Sequence, residues 1–469
     1  MRIVMLLVLA CGLAQARPGG GHSFHSSSHS SSSFSHSSSS YHSSSHSYGY
    51  SSGGSFNVVG PLIVVLLLMF VAVILYGLLP HRHRYDTPAW DPSAYVPPAS
   101  PPPISMDVFK LDDPDFSRPV FEDFAYRLYA EARRFGAGKL ARYFDPAARA
   151  KLTPPAEQVV VGVLQILSAR EDADCAQLVV HIEANLARGG HTQYVAERWT
   201  FCRSHGLTTK PPATHAWPCP NCGAPWDGND PETCAHCGQR IEPGTFDWAV
   251  ADIVVESAEE VGATLTGTVE EVGTDDPTMR QPGAVDTLAA LTADDPGVTW
   301  PALEARAQMI YGRLNDAWNA SRLDAVRGLV TRSLQDYLRY WLDEYRRQGL
   351  ANHLDDARVS SIELAKVMRD RWFDAITVRI FADGLDYTVR GDKVVGGSRD
   401  SRRAYSEYWT FVRSSARRGP ITGDPRCPNC GAPLQISDAG ACAHCQAELE
   451  NGSFDWVLSK IEQDEVYRG

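Results

Sequence analysis

Cysteine is scarce outside two short blocks. Of the 11 in the chain, only Cys11, Cys175 and Cys202 lie elsewhere. Acidic residues are missing from residues 1–84, which hold four arginines, Arg2, Arg17, Arg82 and Arg84. The formal charge of -12 is therefore uneven, and the remainder carries 40 basic against 56 acidic groups. Without a basic excess, a nucleic-acid-binding surface is not expected. The chain also lacks a P-loop, a G-x-S-x-G elbow and an H-E-x-x-H helix. Those absences remove the commonest nucleotide, serine-hydrolase and zinc-protease readings, and an enzyme is not expected.

What is present begins with signs of export. Residues 1–16 read as a signal peptide: Arg2, an apolar run Ile3–Leu13, and the small-residue site Ala14-Gln15-Ala16. Residues 17–57 are rich in Ser, His and Gly and cannot bury a core, so disorder is expected. His22, His25, His29, His36, His42 and His46 offer loose metal contacts there. Val58–Leu79 is an unbroken apolar run of 22 residues. At about 1.5 Å per residue it is long enough to cross a hydrocarbon layer of about 30 Å. His81-Arg82-His83-Arg84 follow it, and positive charge on that flank favours the cytoplasmic side. The expectation is one transmembrane helix in a bacterial inner (cytoplasmic) membrane, with the N-terminal segment outside and the C-terminal body inside. Residues 80–105 read as a Pro-rich linker.

A cassette then occurs twice. Each copy opens with W-T-F-x-R-S, at Trp199–Ser204 and Trp409–Ser414, and closes with F-D-W, at Phe246–Trp248 and Phe454–Trp456. Between them stand C-P-N-C-G-A-P and C-A-H-C. The thiols are Cys219, Cys222, Cys234 and Cys237 in the first copy, and Cys427, Cys430, Cys442 and Cys445 in the second. Two C-x-x-C turns supply the four tetrahedral ligands that Zn2+ prefers, and a site of four cysteines is closed, hence structural. Two zinc ribbons are expected, at 217–240 and 425–448. His236 and His444 lie inside the knuckles; Cys175 and Cys202 lie in apolar strand contexts and read as unreactive.

The cassettes end two related units. Asp112-Asp113-Pro114 opens the first and Asp294-Asp295-Pro296 the second. Apolar residues at helical spacing follow each, Val120, Phe124, Leu128 and Ala132, then Leu303, Ala307, Ile310, Leu314 and Trp318. Arg322–Arg347 continues that periodicity to Gly349. After these helices the period becomes two, over Gln158–Leu167, Cys175–Ala184, Tyr194–Cys202, Arg358–Val367, Phe373–Ala382, Leu385–Arg390 and Tyr405–Val412. Helices followed by strands predict an α+β fold with helices on an antiparallel sheet. The units are placed at 106–256 and 294–469, with 257–293 an acidic linker and Gly391–Arg403 a loop.

On Ile310–Trp318, Leu323–Tyr345, Ile376–Ile380, the stretch Tyr405–Arg413 and the closing Trp456–Ile461, the second unit resembles the bacterial Tim 44-like domain. That is the domain of subunit 44 of the mitochondrial translocase of the inner membrane. The first unit keeps Glu197–Phe201 and a shortened helical part. The resemblance implies two cone-shaped domains of the nuclear-transport-factor-2-like type, each a curved sheet around an apolar pocket. It also implies a membrane-associated adaptor, the mitochondrial relative being one that contacts anionic lipid and recruits the import motor. Relatives pass from W-T-F-x-R through a short turn to their last strand. Here the cysteine blocks interrupt that turn, so each ribbon is expected inside the last hairpin.

Glu197 with Trp199, and Glu407 with Trp409, share a strand face on a period of two. They are the candidate pocket residues, as a carboxylate raised by burial or as a salt bridge to Arg203 or Arg413. The functional expectation is a zinc-containing adaptor with protein partners on the cytoplasmic side. The alternative is a carrier or sensor of a lipid or other apolar molecule.

Overall fold

The computed structural model describes residues 104–469, apart from 153–154, 211–216, 227–229, 261–264, 267–270, 272, 422–425, 438–439 and 465. The expected signal, Ser/His-rich segment, membrane span and nearly all of the Pro-rich linker lie outside the described residues. Among the described ones, no helix is long and apolar enough to cross a membrane.

The chain from residue 104 is α+β, with two antiparallel sheets. The first module begins with α1 (Arg118–Phe135). Ser117 caps it, its hydroxyl accepting the Val120 N–H at 3.3 Å, Pro119 sits in the first turn, and Gly136 ends it at φ 75°. The short α2 (Pro146–Arg149) follows, then β1 (Gln158–Glu171), β2 (Ala176–Arg188), β3 (His191–Arg203) and β4 (Ala249–Glu260), in spatial order β1-β2-β3-β4.

The second module has the same plan on longer helices. α3 (Ala284–Asp294) precedes α4 (Trp300–Asn319), which Thr299 caps ahead of Pro301 as Ser117 does ahead of Pro119. Then come α5 (Arg332–Arg347), β5 (Ala351–Arg369), β6 (Phe373–Arg390), β7 (Lys393–Gly397), β8 (Arg403–Ser414) and β9 (Val457–Gln463). The order is β5-β6-β8-β9, with the short β7 also on β6. The far side of each last strand is met by the segment before a helix. Asp145 N–H donates to Val250 O at 2.9 Å, and Thr331 N–H to Leu458 O at 2.8 Å. An otherwise open sheet edge is thereby partly covered.

Alternation along the strands sends one face to the helices. Leu178, Val180, Ile182 and Ala184 of β2 are fully buried against α1, together with Trp199 and Phe201 of β3. The second core gathers Trp318, Leu338, Tyr345, Ile376, Val378, Ile380, Trp409 and Trp456. Removing a buried side chain of that size costs about 3–5 kcal/mol.

Five local expectations change. The buried face of α1 is Phe121, Ala125, Leu128, Tyr129 and Ala132, with Arg133 among them, while Val120 and Phe124 are only half-buried. The helical period holds, and the true centre is one residue round. Arg322–Arg347 is two pieces, a 3-10 turn Leu323–Val326 and α5, because Gly328 at φ 78° turns the chain between them. The loop Gly391–Arg403 contains β7, and the acidic linker contains α3. The predicted break between Ala382 and Leu385 is absent, since β6 runs through Gly384.

Candidate metal centres and their mounting

Each cysteine block lies in the connection between two paired strands. β3 and β4 are antiparallel with Trp199 opposite Ile253, and β8 and β9 with Trp409 opposite Ile461. The blocks are therefore excursions from the final hairpin of each sheet, as the resemblance implied.

All four knuckles close by the same pair of backbone bonds. Gly223 N–H donates to Cys219 O and Cys219 N–H to Ala224 O; Gly431, Cys427 and Ala432 repeat this. Gly238 closes the next knuckle on Cys234 O, and Gln446 closes its counterpart on Cys442 O. The closing residue needs a left-handed backbone: Gly223, Gly238 and Gly431 have φ of 74°, 70° and 72°. Gln446 adopts φ 61° with a side chain in place.

These turns aim four sulfurs inward. Sγ separations are 3.9 Å for Cys219–Cys237 and Cys222–Cys234, 3.8 Å for Cys427–Cys445 and 4.0 Å for Cys430–Cys442. A tetrahedron with Zn–S bonds of about 2.3 Å has edges of about 3.8 Å. Both sets are thus compatible with zinc, each within 4.8 Å overall. Asn221 and Asn429, the Asn of C-P-N-C, donate to Cys237 Sγ at 3.6 Å and Cys445 Sγ at 3.3 Å. The Gln239 N–H and Asn221 lower the Cys237 thiol to about 6; Asn429 and the Ala447 N–H do the same for Cys445, also to about 6. Burial pushes Cys219 up to about 12, which a metal would have to overcome by coordination. His236 and His444 are exposed and belong to neither ligand set.

Neither ribbon is free-standing. In the first, the Arg142 guanidinium lies 3.9 Å from the Trp226 ring centre and donates to Trp217 O at 2.6 Å. Tyr143 OH donates to Pro218 O at 3.1 Å. In the second, Arg327 donates to Glu450 at 2.8 Å, to Ile436 O at 3.1 Å and to Ser437 O at 2.5 Å.

The stems are held by a constellation that sequence reasoning missed. Asp113 of the first D-D-P motif is fully buried and accepts from Arg203 at 2.7 Å. It also accepts from the N–H of Thr209, on the way to the ribbon, at 3.0 Å. Arg203 lies 4.6 Å from the ring centre of Trp248, the Trp of F-D-W. Asp295, Arg413, Gly419 and Trp456 repeat the pattern at 3.0 Å, 3.1 Å and 4.9 Å. Three motifs far apart in the chain are therefore one clamp at the base of each ribbon. Burial raises the Asp295 carboxyl, but the Gly419 N–H and Arg413 outweigh it, and the net shift is downward. The available signal was recurrence: each of the three motifs occurs twice in the same order.

The clamp corrects one expectation. Arg203 and Arg413 serve the D-D-P aspartates and leave Glu197 and Glu407 to others. Glu197 pairs with Arg133 and accepts the Trp199 indole N–H at 3.2 Å. Glu407 accepts the Trp409 indole at 2.9 Å and Gln463 at 3.1 Å. Both pairs are buried, with Trp199 against Tyr129 and Phe144, and Trp409 against Tyr311. A groove of about 480 Å³ lies on the opposite face of the first sheet, lined by Leu167, Val179, Arg198, Thr200 and Val254 among others. Cys175 and Cys202, expected as separate unreactive thiols, are joined as a disulfide across β2 and β3. Their strand ends are neighbours, which a reading strand by strand does not reveal.

Fold and site define a class: α+β modules, each interrupted in its last hairpin by a set of four cysteines. Residues 284–421 match the family model of the Tim44-like domain. The match begins with α3, spans α4 to β8, and stops before the second cysteine block; the first module lies outside it. No curated protein matches the chain.

Proposed function

We propose that the protein is a membrane-tethered, zinc-containing adaptor whose two modules present their ribbons to protein partners, in protein translocation or membrane biogenesis. One observation carries this reading: each four-cysteine set, with the spacing of a zinc tetrahedron, is clamped onto a module, and the second of those modules carries the Tim44-like match. Closed four-thiolate sites suit structure rather than catalysis, and we propose no enzymatic activity. The first module is read as a second, degenerate copy, because its caps, clamp and strand order repeat those of the second.

The tether rests on Val58–Leu79. The full chain is expected to stay in the membrane pellet after carbonate washing, and release of intact protein sinks the anchor. The carrier reading is disfavoured by the packing of Glu197, Trp199, Glu407 and Trp409 among their own neighbours. An apolar molecule retained by the purified protein in native mass spectrometry would restore it.

The Arg82 and Arg84 flank and eight thiols suited to a reducing compartment support a cytoplasmic body. The Cys175–Cys202 bridge favours the opposite side. Protease added to intact spheroplasts decides between them: a protected body supports the cytoplasmic orientation, and a digested one reverses it.

A further inference from the structure

Outside the four-cysteine sets, one further group of ligand-type side chains converges among the described residues. Asp112, Glu171 and His205 bring one ligand atom each to within 4.8 Å of one another. They come from the start of the first module, the end of β1 and the chain just past β3. His205 Nδ1 lies 2.9 Å from Asp112 Oδ2, and Nε2 lies 2.9 Å from the backbone oxygen of Asp172. A carbonyl and a carboxylate oxygen only accept, so without an ion both nitrogens donate; a cation would replace the Nδ1 proton, with Nε2 still donating to Asp172 O. Metal-bound imidazoles are held in just this way, the second nitrogen donating to a backbone carbonyl. Glu171 Oε1 is buried and has no hydrogen-bond partner, a costly state for a carboxylate oxygen. Asp112 and His205 are 43% and 35% exposed, so the group is reachable from solvent.

The second module shows what this corner requires. Its β5–β6 turn has the same bonds as the β1–β2 turn. Asp172 Oδ1 accepts from Asp174 N–H and Cys175 N–H, and Asp370 Oδ1 accepts from Trp372 N–H and Phe373 N–H. Glu171 and Arg369, each just before that Asp, are therefore equivalent, as are Asp112 and Asp294 in the D-D-P motifs. Arg369 pairs with Asp294 at 2.9 Å. In the first module a second carboxylate stands where that cation stands, and His205 faces both.

We propose that Asp112, Glu171 and His205 form a third metal site, taking a first-row divalent cation of the zinc type with water completing its shell. The cation replaces the charge that Arg369 supplies in the second module. Imidazole with two carboxylates is a donor set such ions accept. Bound there, it ties the D-D-P segment, the β1–β2 turn and the path to the first ribbon together.

The test is zinc stoichiometry of the purified full chain after equilibration with excess zinc and gel filtration, compared among variants. Glu171→Arg installs the pairing of the second module, and His205→Ser installs its Ser415. Each is expected to remain folded, with an unchanged far-ultraviolet circular dichroism spectrum, and to bind one zinc per chain fewer than the parent. The histidines of residues 17–57 contribute equally to all three proteins, so the difference is the readout. An unchanged count in the folded variants overturns the proposal. Should a variant unfold, one-site binding of Mn2+ to parent chain loaded with only two equivalents of zinc, enough for the four-cysteine sets, followed by its electron paramagnetic resonance, decides instead. Mn2+ prefers oxygen and nitrogen donors over thiolates; displacement of that signal by Asp112→Asn supports the site, and an unaltered or absent signal refutes it. Thiolate-to-metal charge transfer in the Co2+-loaded protein reports the two four-cysteine sets separately. Its loss would strike the zinc-adaptor reading and leave this one standing.

Discussion

The two modules share a skeleton and differ in what covers it. Both set an Asp–Arg–Trp clamp under a ribbon, and both cap their long helix with Ser or Thr ahead of Pro. On the outer face of the second sheet, Tyr408 stacks on Tyr467 at 3.8 Å, Met279 packs beside them, and Arg379 donates to Gly273 O and Asp276 O. On the first sheet the corresponding face carries the open groove, and Leu167, Val254 and Val255 are 41%, 41% and 47% exposed. The same corner holds an Arg–Asp pair in one module and an Asp–Glu–His group in the other. The parts that coincide hold the ribbon; the parts that diverge lie on surfaces, apart from the buried Arg133–Glu197 pair of the first module. Constraint in this molecule falls on how the metal centre is mounted.

The strongest way to break that comparison is to remove a ligand. Cys219→Ser and Cys427→Ser are each expected to lose the zinc of their own ribbon alone, about 10 kcal/mol of binding free energy. Zinc content should fall by one, and limited proteolysis should cut only the affected block. Cleavage of both ribbons would show that the modules are not independent mounts.

Next come the clamps. Asp113→Ala and Asp295→Ala each leave a buried arginine uncompensated, a loss of about 3–5 kcal/mol. Thermal unfolding should drop in both variants. A fall in only one would end the equivalence of the two clamps.

A smaller effect sharpens the knuckles. Gln446 stands where the first ribbon has Gly238, at φ 61°. Gln446→Gly is expected to stabilise the second ribbon, and Gly238→Ala to destabilise the first, each by about 1 kcal/mol. The measurement is the chelator concentration needed to strip each site.

The last prediction concerns the contact between modules. Glu122 of α1 bonds Arg118 at 2.8 Å and lies 3.7 Å from Lys460 of β9. Burial raises its carboxyl, but Lys460 and Arg118 prevail and hold it at about 2. A depressed folded pKa stabilises above the unfolded value near 4.5 and is lost as pH falls toward 2. Acid unfolding of Glu122→Gln should therefore be shallower over that window. An identical acid profile would remove Glu122 from the interface.

Sequence alone revealed the elements that obey short-range rules. The cysteines were legible because a tetrahedral ion imposes spacing within a few residues, and the hairpin insertion followed from the family resemblance. The clamp was not, because Asp113 and Arg203 are 90 residues apart and Asp295 and Arg413 are 118 apart. Arg133 was hidden for another reason. It occupies a core position on α1, and only its partner Glu197, on β3, explains why a charge is tolerated there. The break at Gly328 was obscured by apolar residues that kept helical spacing across it. β7 was obscured by its length of five residues.

The insertion of each ribbon before the last strand has a consequence for how the chain assembles. β8 becomes an interior strand only when β9 arrives, and β9 follows the whole cysteine block. Metal capture would fold that block onto itself and shorten the flexible tether that must close, lowering the entropy opposing closure. Under the proposed zinc reading, the metal would act as a timer on sheet completion: in a zinc-starved cell, newly made chains would linger with β3 and β8 as bare edges, the form most exposed to intermolecular pairing and proteolysis.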